Sequence, residues 1–191
     1  MYKIFLAFLV PGLIAACQAP SFSTDSPLTP VPAESRLILN EPLSIPPGKL
    51  SLWFQEGERM AQHELDRYYP HCKFETLEFQ ENEKIIQPDT FIIHKVVRWQ
   101  DYALTSIRVA SAGAVLDILA DGGGGPAHVT PTTEMFLHSE QQANVYRLAC
   151  SQWEDPYDAN QVTIDPIRRA LGNTFTLKLP EHLEEKQSAA Q

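Results

Sequence analysis

Several stretches of this 191-residue chain put reactive residue types side by side. The most suggestive is Tyr-Tyr-Pro-His-Cys-Lys-Phe, residues 68–74, in which His71 adjoins Cys72. A neighbouring histidine and cysteine suit three chemistries: metal ligation, a thiolate activated by imidazole, or a disulfide half beside a bystander ring. His63 can approach His71 across a turn, with Glu64 or Asp66 joining them, which is the zinc reading. The six histidines (63, 71, 94, 128, 138 and 182) lack H-E-x-x-H or comparable ligand spacing, so the expectation is no metal and no cofactor. Asp-Gly-Gly-Gly-Gly-Pro-Ala-His, residues 121–128, has the glycines of a phosphate loop. It lacks the following Lys-Ser/Thr, and Pro126 interrupts the helix that would receive the anion. It reads as a connection between strands. His138-Ser139-Glu140 sets a hydroxyl between a base and an acid, but adjacent residues of a strand end point in different directions. With no G-x-S-x-G, residues 139–144 read as a polar turn. Asp155, Pro156 and Asp158 read as a solvated acidic loop. No catalytic residue is assigned.

Charge narrows the partners. The formal net charge is −9, and Lys3 is the only charged residue among the first seventeen. An acidic surface without a basic, aromatic-laced run repels phosphate backbones, so nucleic acid is not an expected partner. The first residues, MYKIFLAFLVPGLIAAC, carry one positive charge ahead of an apolar run from Ile4 to Ala16. Pro11-Gly12 breaks that run, and thirteen residues are too few to cross a bilayer as a helix.

Ile14-Ala15-Ala16-Cys17 resembles the lipobox of bacterial lipoproteins, with Ile14 where the family most often has leucine. The resemblance implies cleavage before Cys17, removal of 1–16 as a signal peptide, and lipidation of Cys17 by a diacylglyceryl thioether and usually an N-acyl chain. Two or three chains give a lasting anchor, at about 0.8 kcal/mol per buried methylene. An ordinary secretory peptide with an incidental Cys17 is the alternative. Gln18, in place of the aspartate that often retains such proteins in the inner membrane, implies a periplasm-facing anchor in the outer membrane. The inner membrane is the alternative address.

Residues 17–34 hold Pro20, Pro27, Pro30 and Pro32 among serines and threonines, and read as a tether able to reach roughly 50 Å in extended form. An irregular arm lying on the domain is the alternative. From Ser35 the pattern changes to short runs with a period of two. Leu37 and Leu39, then Leu50, Leu52 and Phe54, then Phe91, Ile93, Val97 and Trp99 each share a face. Met135 and Leu137, and finally Phe175, Leu177 and Leu179, do the same. Residues 58–67 read as a helix or a turn, and 103–120 as strand or mixed structure. Asp165 as cap, Pro166 and Gly172 bound a short helix. The expected fold is mainly β: a single antiparallel sandwich or partly open barrel over 35–179, with a short C-terminal helix and a polar tail at 180–191.

Export, implied by the lipobox resemblance, changes the meaning of Cys72. In an oxidising compartment two remaining thiols pair, so Cys72 and Cys150 are expected to form one disulfide. Strand phase agrees: Cys72 falls in register with Phe74, and Cys150 with Leu148 and Tyr146, while His71 takes the opposite, surface face. Closing a loop of about 80 residues contributes roughly 4 kcal/mol on the chain-entropy argument. LDRYYPHCKFE, IQPDTFII, TTEMFLHSEQQANVYRLAC and IRRALG together resemble an uncharacterised group of proteobacterial lipoproteins, a likeness that implies no activity.

Three functions are in view. The first is a structural or interaction module that contacts an envelope protein or cell-wall component from a lipid anchor. The second is a ligand-binding β module for a small apolar molecule or glycan, with Trp53, Trp99, Trp153, Tyr68 and Tyr69 as stacking surfaces. The third is a metal-dependent hydrolase, which requires His63, His71 or His138 to converge with carboxylates.

Overall fold

The period-two runs form strands in a computed structural model that describes residues 22–103, 109–111, 114–116 and 128–188. In chain order the strands are β1 (Arg36–Leu39), β2 (Leu43–Ile45), β3 (Ser51–Gln55), β4 (Glu58–Met60), β5 (His71–Thr76) and β6 (Lys84–Ile86). Then come β7 (Asp89–Ala103), β8 (Val109–Ser111), β9 (Ala114–Leu116), β10 (His128–His138) and β11 (Val145–Ser151). Helix α1 (Ile164–Leu171), β12 (Phe175–Lys178) and α2 (Glu181–Ser188) follow. Eight strands make one antiparallel sheet in the order β12-β1-β7-β10-β11-β5-β3-β4, while β2 pairs with β6 and β8 with β9.

That sheet curls into a half-barrel. Phe175 of β12 lies 5.4 Å from Phe54 of β3 and 5.2 Å from Phe74 of β5, ring centre to ring centre. These strands stand near opposite ends of the sheet order, so only a curled sheet brings their rings together. Helix α1 closes the open side, packing on β12 at one end of the sheet and on β3 and β5 near the other. Its Ile164, Ile167, Ala170 and Leu171 join Leu37, Leu39, Phe91, Ile93, Met135 and Leu148 in the core. Each fully buried aliphatic or aromatic side chain contributes about 1.5–3 kcal/mol. The partly open barrel is thus the form this chain takes. Cys72 of β5 and Cys150 of β11 face each other directly in the ladder, with Cα atoms 4.1 Å apart, and are joined as a disulfide.

Two bulges alter the expected phases. Leu137 pairs with Ile93 but Phe136 pairs with Lys95, so His94 is an extra residue in β7. Beyond it Val96, not Val97, packs against the core, and Trp99 turns outward. In β11, Val145 pairs with Thr76 and Arg147 with Glu75, leaving Tyr146 as the extra residue. Tyr146 therefore leaves the face of Leu148 and Cys150, and its ring meets Phe136 on the outer side at 5.5 Å.

Other boundaries move as well. Helix α1 begins two residues earlier than expected, with Thr163 as N-cap, and Asp165 lies in its first turn instead. There Asp165 accepts the Thr24 hydroxyl at 2.9 Å and pairs with Arg168. The polar tail contains α2. Residues 58–67 are β4 followed by irregular chain, with no helix. Residues 22–34 lie on the domain as an irregular arm. Val31 is buried, Phe22 packs on the core, Arg98 donates to the Pro27 carbonyl at 2.9 Å, and the Ile164 amide donates to the Thr24 carbonyl at 3.0 Å. The expected signal peptide 1–16, Cys17 and the glycine run 122–125 fall outside the described residues.

Candidate functional site

The half-barrel has a filled inner face and a polar outer face, and the outer face carries the candidate site. Alternation sends Trp53 and Gln55 outward from β3, and His71, Lys73 and Glu75 outward from β5. Arg147 of β11 and Glu134 of β10 continue the same surface. These groups form a chain of charges. Glu134 accepts from Arg147 at 2.6 Å, Arg147 also bonds Glu75, and Glu75 pairs with Lys73 at 2.5 Å. The Lys73 ammonium then lies 5.4 Å from the centre of the Trp53 ring. Burial disfavours the Glu75 carboxylate, but hydrogen bonds and charge from Lys73 and Arg147 outweigh it and hold its pKa below the ordinary value.

The segment from 61 to 70 folds over one end of this face because Gln55 binds its backbone. The Gln55 side-chain amide donates to the carbonyls of Asp66 and Tyr69 at 2.6 and 3.2 Å, and its oxygen accepts the Asp66 amide at 3.0 Å. His71 lies beneath that cover, only 5% exposed, so its expected surface position is corrected. Its Nδ1 donates to the Tyr69 carbonyl at 3.0 Å, which leaves Nε2 to accept the Ser151 hydroxyl at 3.2 Å. Burial lowers its pKa, the Tyr69 hydrogen bond opposes that, and the nearby charge of Arg67 adds to it.

The stacking candidates divide. Tyr68 meets Trp153 edge-on at 5.4 Å, His128 stacks on Trp153 at 4.1 Å, and the Arg67 guanidinium lies 5.2 Å from the same indole. Tyr69 borders a different recess, with Glu56, Pro70, Pro166 and Arg169. Trp99 sits on the outer face of β7, opposite Thr132. Trp53 alone among the five lines an open groove of about 740 Å³ between the β3–β4 hairpin and residues 61–67. Lys49, Arg59, Met60, His63 and Arg67 share its walls with Trp53; among the described lining residues none is acidic, while the Glu64 carboxylate accepts the amide of the lining residue Ala61 at 3.0 Å. Lys49, Arg59 and Arg67 are site residues the pattern reading did not single out. Lys49 and Arg59 flank Trp53 in the sequence, but no pattern in the sequence brings Arg67 to them.

His138 does not converge with His63 and His71. His63 lines the groove and His71 is covered, while His138 ends β10 six residues beyond Thr132, about 20 Å along the strand. Among the described residues no group of three or more His, Cys, Asp or Glu is placed to hold a metal. Ser139 is occupied elsewhere: it donates to Asp89 and accepts the amides of Gln141 and Gln142, which makes the turn between β10 and β11. No protein-family model matches the chain, and no curated protein or solved structure matches it either.

Proposed function

We propose that this chain is a lipid-anchored β module that faces the periplasm and docks an envelope component against the outer face of its sheet. The observation that carries the reading is the groove beside Trp53, where three cations and an indole are gathered on an otherwise acidic chain. The lipobox-like Ile14–Cys17 supports the address, with the outer membrane favoured by Gln18. A small apolar ligand inside the half-barrel is disfavoured, because α1 and the rings of Phe54, Phe74 and Phe175 already fill that side. A metal-dependent hydrolase is disfavoured because His138 stands far along β10 from His71, and no three His, Cys, Asp or Glu gather as a metal site among the described residues.

Photo-cross-linking in intact cells tests the reading. A photoreactive residue at Gln62, on the groove rim, is expected to trap one discrete envelope component. The same residue at Thr176, on the far edge strand, is expected to trap none. Cross-links at Thr176 with none at Gln62 would reject the groove as the docking face.

A further inference from the structure

The walls of the groove specify a kind of ligand more narrowly than its position does. Lys49, Arg59 and Arg67 approach it from three separate segments: the loop before β3, strand β4, and the irregular chain after β4. In a chain with 24 acidic side chains, cations from three segments line one trough and favour a positive local field, with the Glu64 carboxylate reaching its wall at the Ala61 amide. A field of that sign concentrates anions, and guanidinium groups match carboxylates with two parallel hydrogen bonds.

The second component is apolar. Trp53, Leu52, Met60 and Pro46 line the same trough, so the cations are interleaved with flat and aliphatic surface. Trp53 is steadied from its own sheet, with the Lys73 ammonium at 5.4 Å and the His71 ring at 5.8 Å. A ring fixed before binding loses little entropy when a ligand lands on it. The axial C–H bonds of a pyranose are weakly positive and are attracted to the negative face of an indole. A trough of about 740 Å³ falls in the size range of small-ligand sites and is open enough for a short oligomer. An acidic peptide would satisfy the cations but leave the indole without a matching flat partner.

On the reading that the groove is the docking face, we propose that it binds an acidic saccharide. The carboxylates of the sugar meet Lys49, Arg59 and Arg67, and its C–H face lies on Trp53. The cations supply long-range attraction that weakens with salt, and the indole supplies selection for a ring over a bare anion.

Calorimetry on the domain from Phe22 to the C-terminus, disulfide intact, compares tetragalacturonate, maltotetraose, tetraglutamate and inorganic phosphate. The uronate is expected to bind at least about tenfold more tightly than each of the others, with affinity falling as salt rises. Lys49→Ala, an exposed loop change, and Arg67→Gln are each expected to weaken the uronate by about three- to tenfold, and Trp53→Ala by about tenfold. Because Trp53→Ala removes packing beside His71, its thermal melt is recorded, and Lys49→Ala decides the matter if that variant is unfolded. Four results would overturn the proposal: no uronate binding at millimolar concentration, equal binding of the neutral sugar, tighter binding of tetraglutamate or phosphate, or unchanged affinity in Lys49→Ala and Arg67→Gln together. Cross-links from Gln62 to an envelope protein with no uronate binding would sink the saccharide and leave the docking face standing.

Discussion

His71 and Gln55 hold residues 61–70 over the sheet, and they do so in different ways. Gln55 bonds three backbone groups of that segment, sharing the Asp66 carbonyl with the Tyr69 amide and the Tyr69 carbonyl with His71. In its neutral form, with the proton on Nδ1, His71 donates to Tyr69 and accepts from Ser151; a second proton reverses the Ser151 bond, the hydroxyl oxygen then accepting, and places a charge in a buried site. Its folded pKa lies below the ordinary 6.5, so the unfolded chain takes the proton more readily. Stability is therefore complete above about pH 6.5 and falls as pH drops from there toward the folded value. Glu75 adds a separate loss: its folded pKa is below 4.5, so its contribution is present above that pH and disappears as pH falls through the folded value. Urea unfolding of the domain at pH 7.5 and pH 5.5 is expected to show a lower midpoint at the acid pH. In His71→Gln most of that difference should vanish, whereas the loss below pH 4.5 should persist. An unchanged difference in the variant would remove His71 as its source.

At the scale of elements, the strands were legible because each buries one face, and residues two apart must then match. Leu37 and Leu39, Met135 and Leu137, and Phe175 and Leu177 obey this throughout. The pattern misled at Trp99 and Tyr146, because one inserted residue reverses every phase beyond it and no residue type announces a bulge. Helix α1 was legible in its stop more than in its start. Gly172 has φ +56° and its Cα side abuts the turn between β3 and β4: an added Cβ would lie 2.3 Å from the Cα of Gly57. Gly57, at φ +84°, is less tightly placed, its added Cβ meeting Gly172 at 3.2 Å. Gly172→Ala is thus expected to cost more than Gly57→Ala, about 3 kcal/mol against about 1–2, from backbone strain plus the close approach. Denaturant titration of both variants checks the order, and equal or reversed losses would mean that the helix end yields without strain. The disulfide belongs to this scale too, since it ties β5 to β11 across 78 residues of chain. Replacing both cysteines with alanine is expected to lower stability by about 2–4 kcal/mol while the fold persists, as read by the same titration. A loss below half a kcal/mol would show that the eight-strand ladder alone sets the pairing.

For the molecule as a whole, the groove was hidden from pattern reading because it is made by three segments that meet only after the sheet forms. Lys49 precedes β3, Arg59 lies on β4, and Arg67 arrives with the chain that Gln55 pins down. The arm changes how the proposed anchor must work. Because Phe22 packs on the core and Val31 is buried, the chain from Cys17 to that first contact is five residue steps, no more than about 18 Å even at full extension. A tether of the whole 17–34 segment would have allowed roughly 50 Å. On the lipoprotein reading the domain is therefore held close to the bilayer, and the groove must receive its partner there. Two measurements follow. Cys17→Ser is expected to abolish palmitate labelling and globomycin-sensitive processing, and continued labelling would refute the anchor. For the lipidated protein on a supported bilayer, neutron reflectometry is expected to place the nearest protein density within about 20 Å of the headgroups. In Val31→Asp, which puts a charge under the arm, the gap is expected to widen because the arm loses its seat in the core. A wide hydrated gap in the unmodified protein would mean that the arm leaves the domain when the chain is anchored.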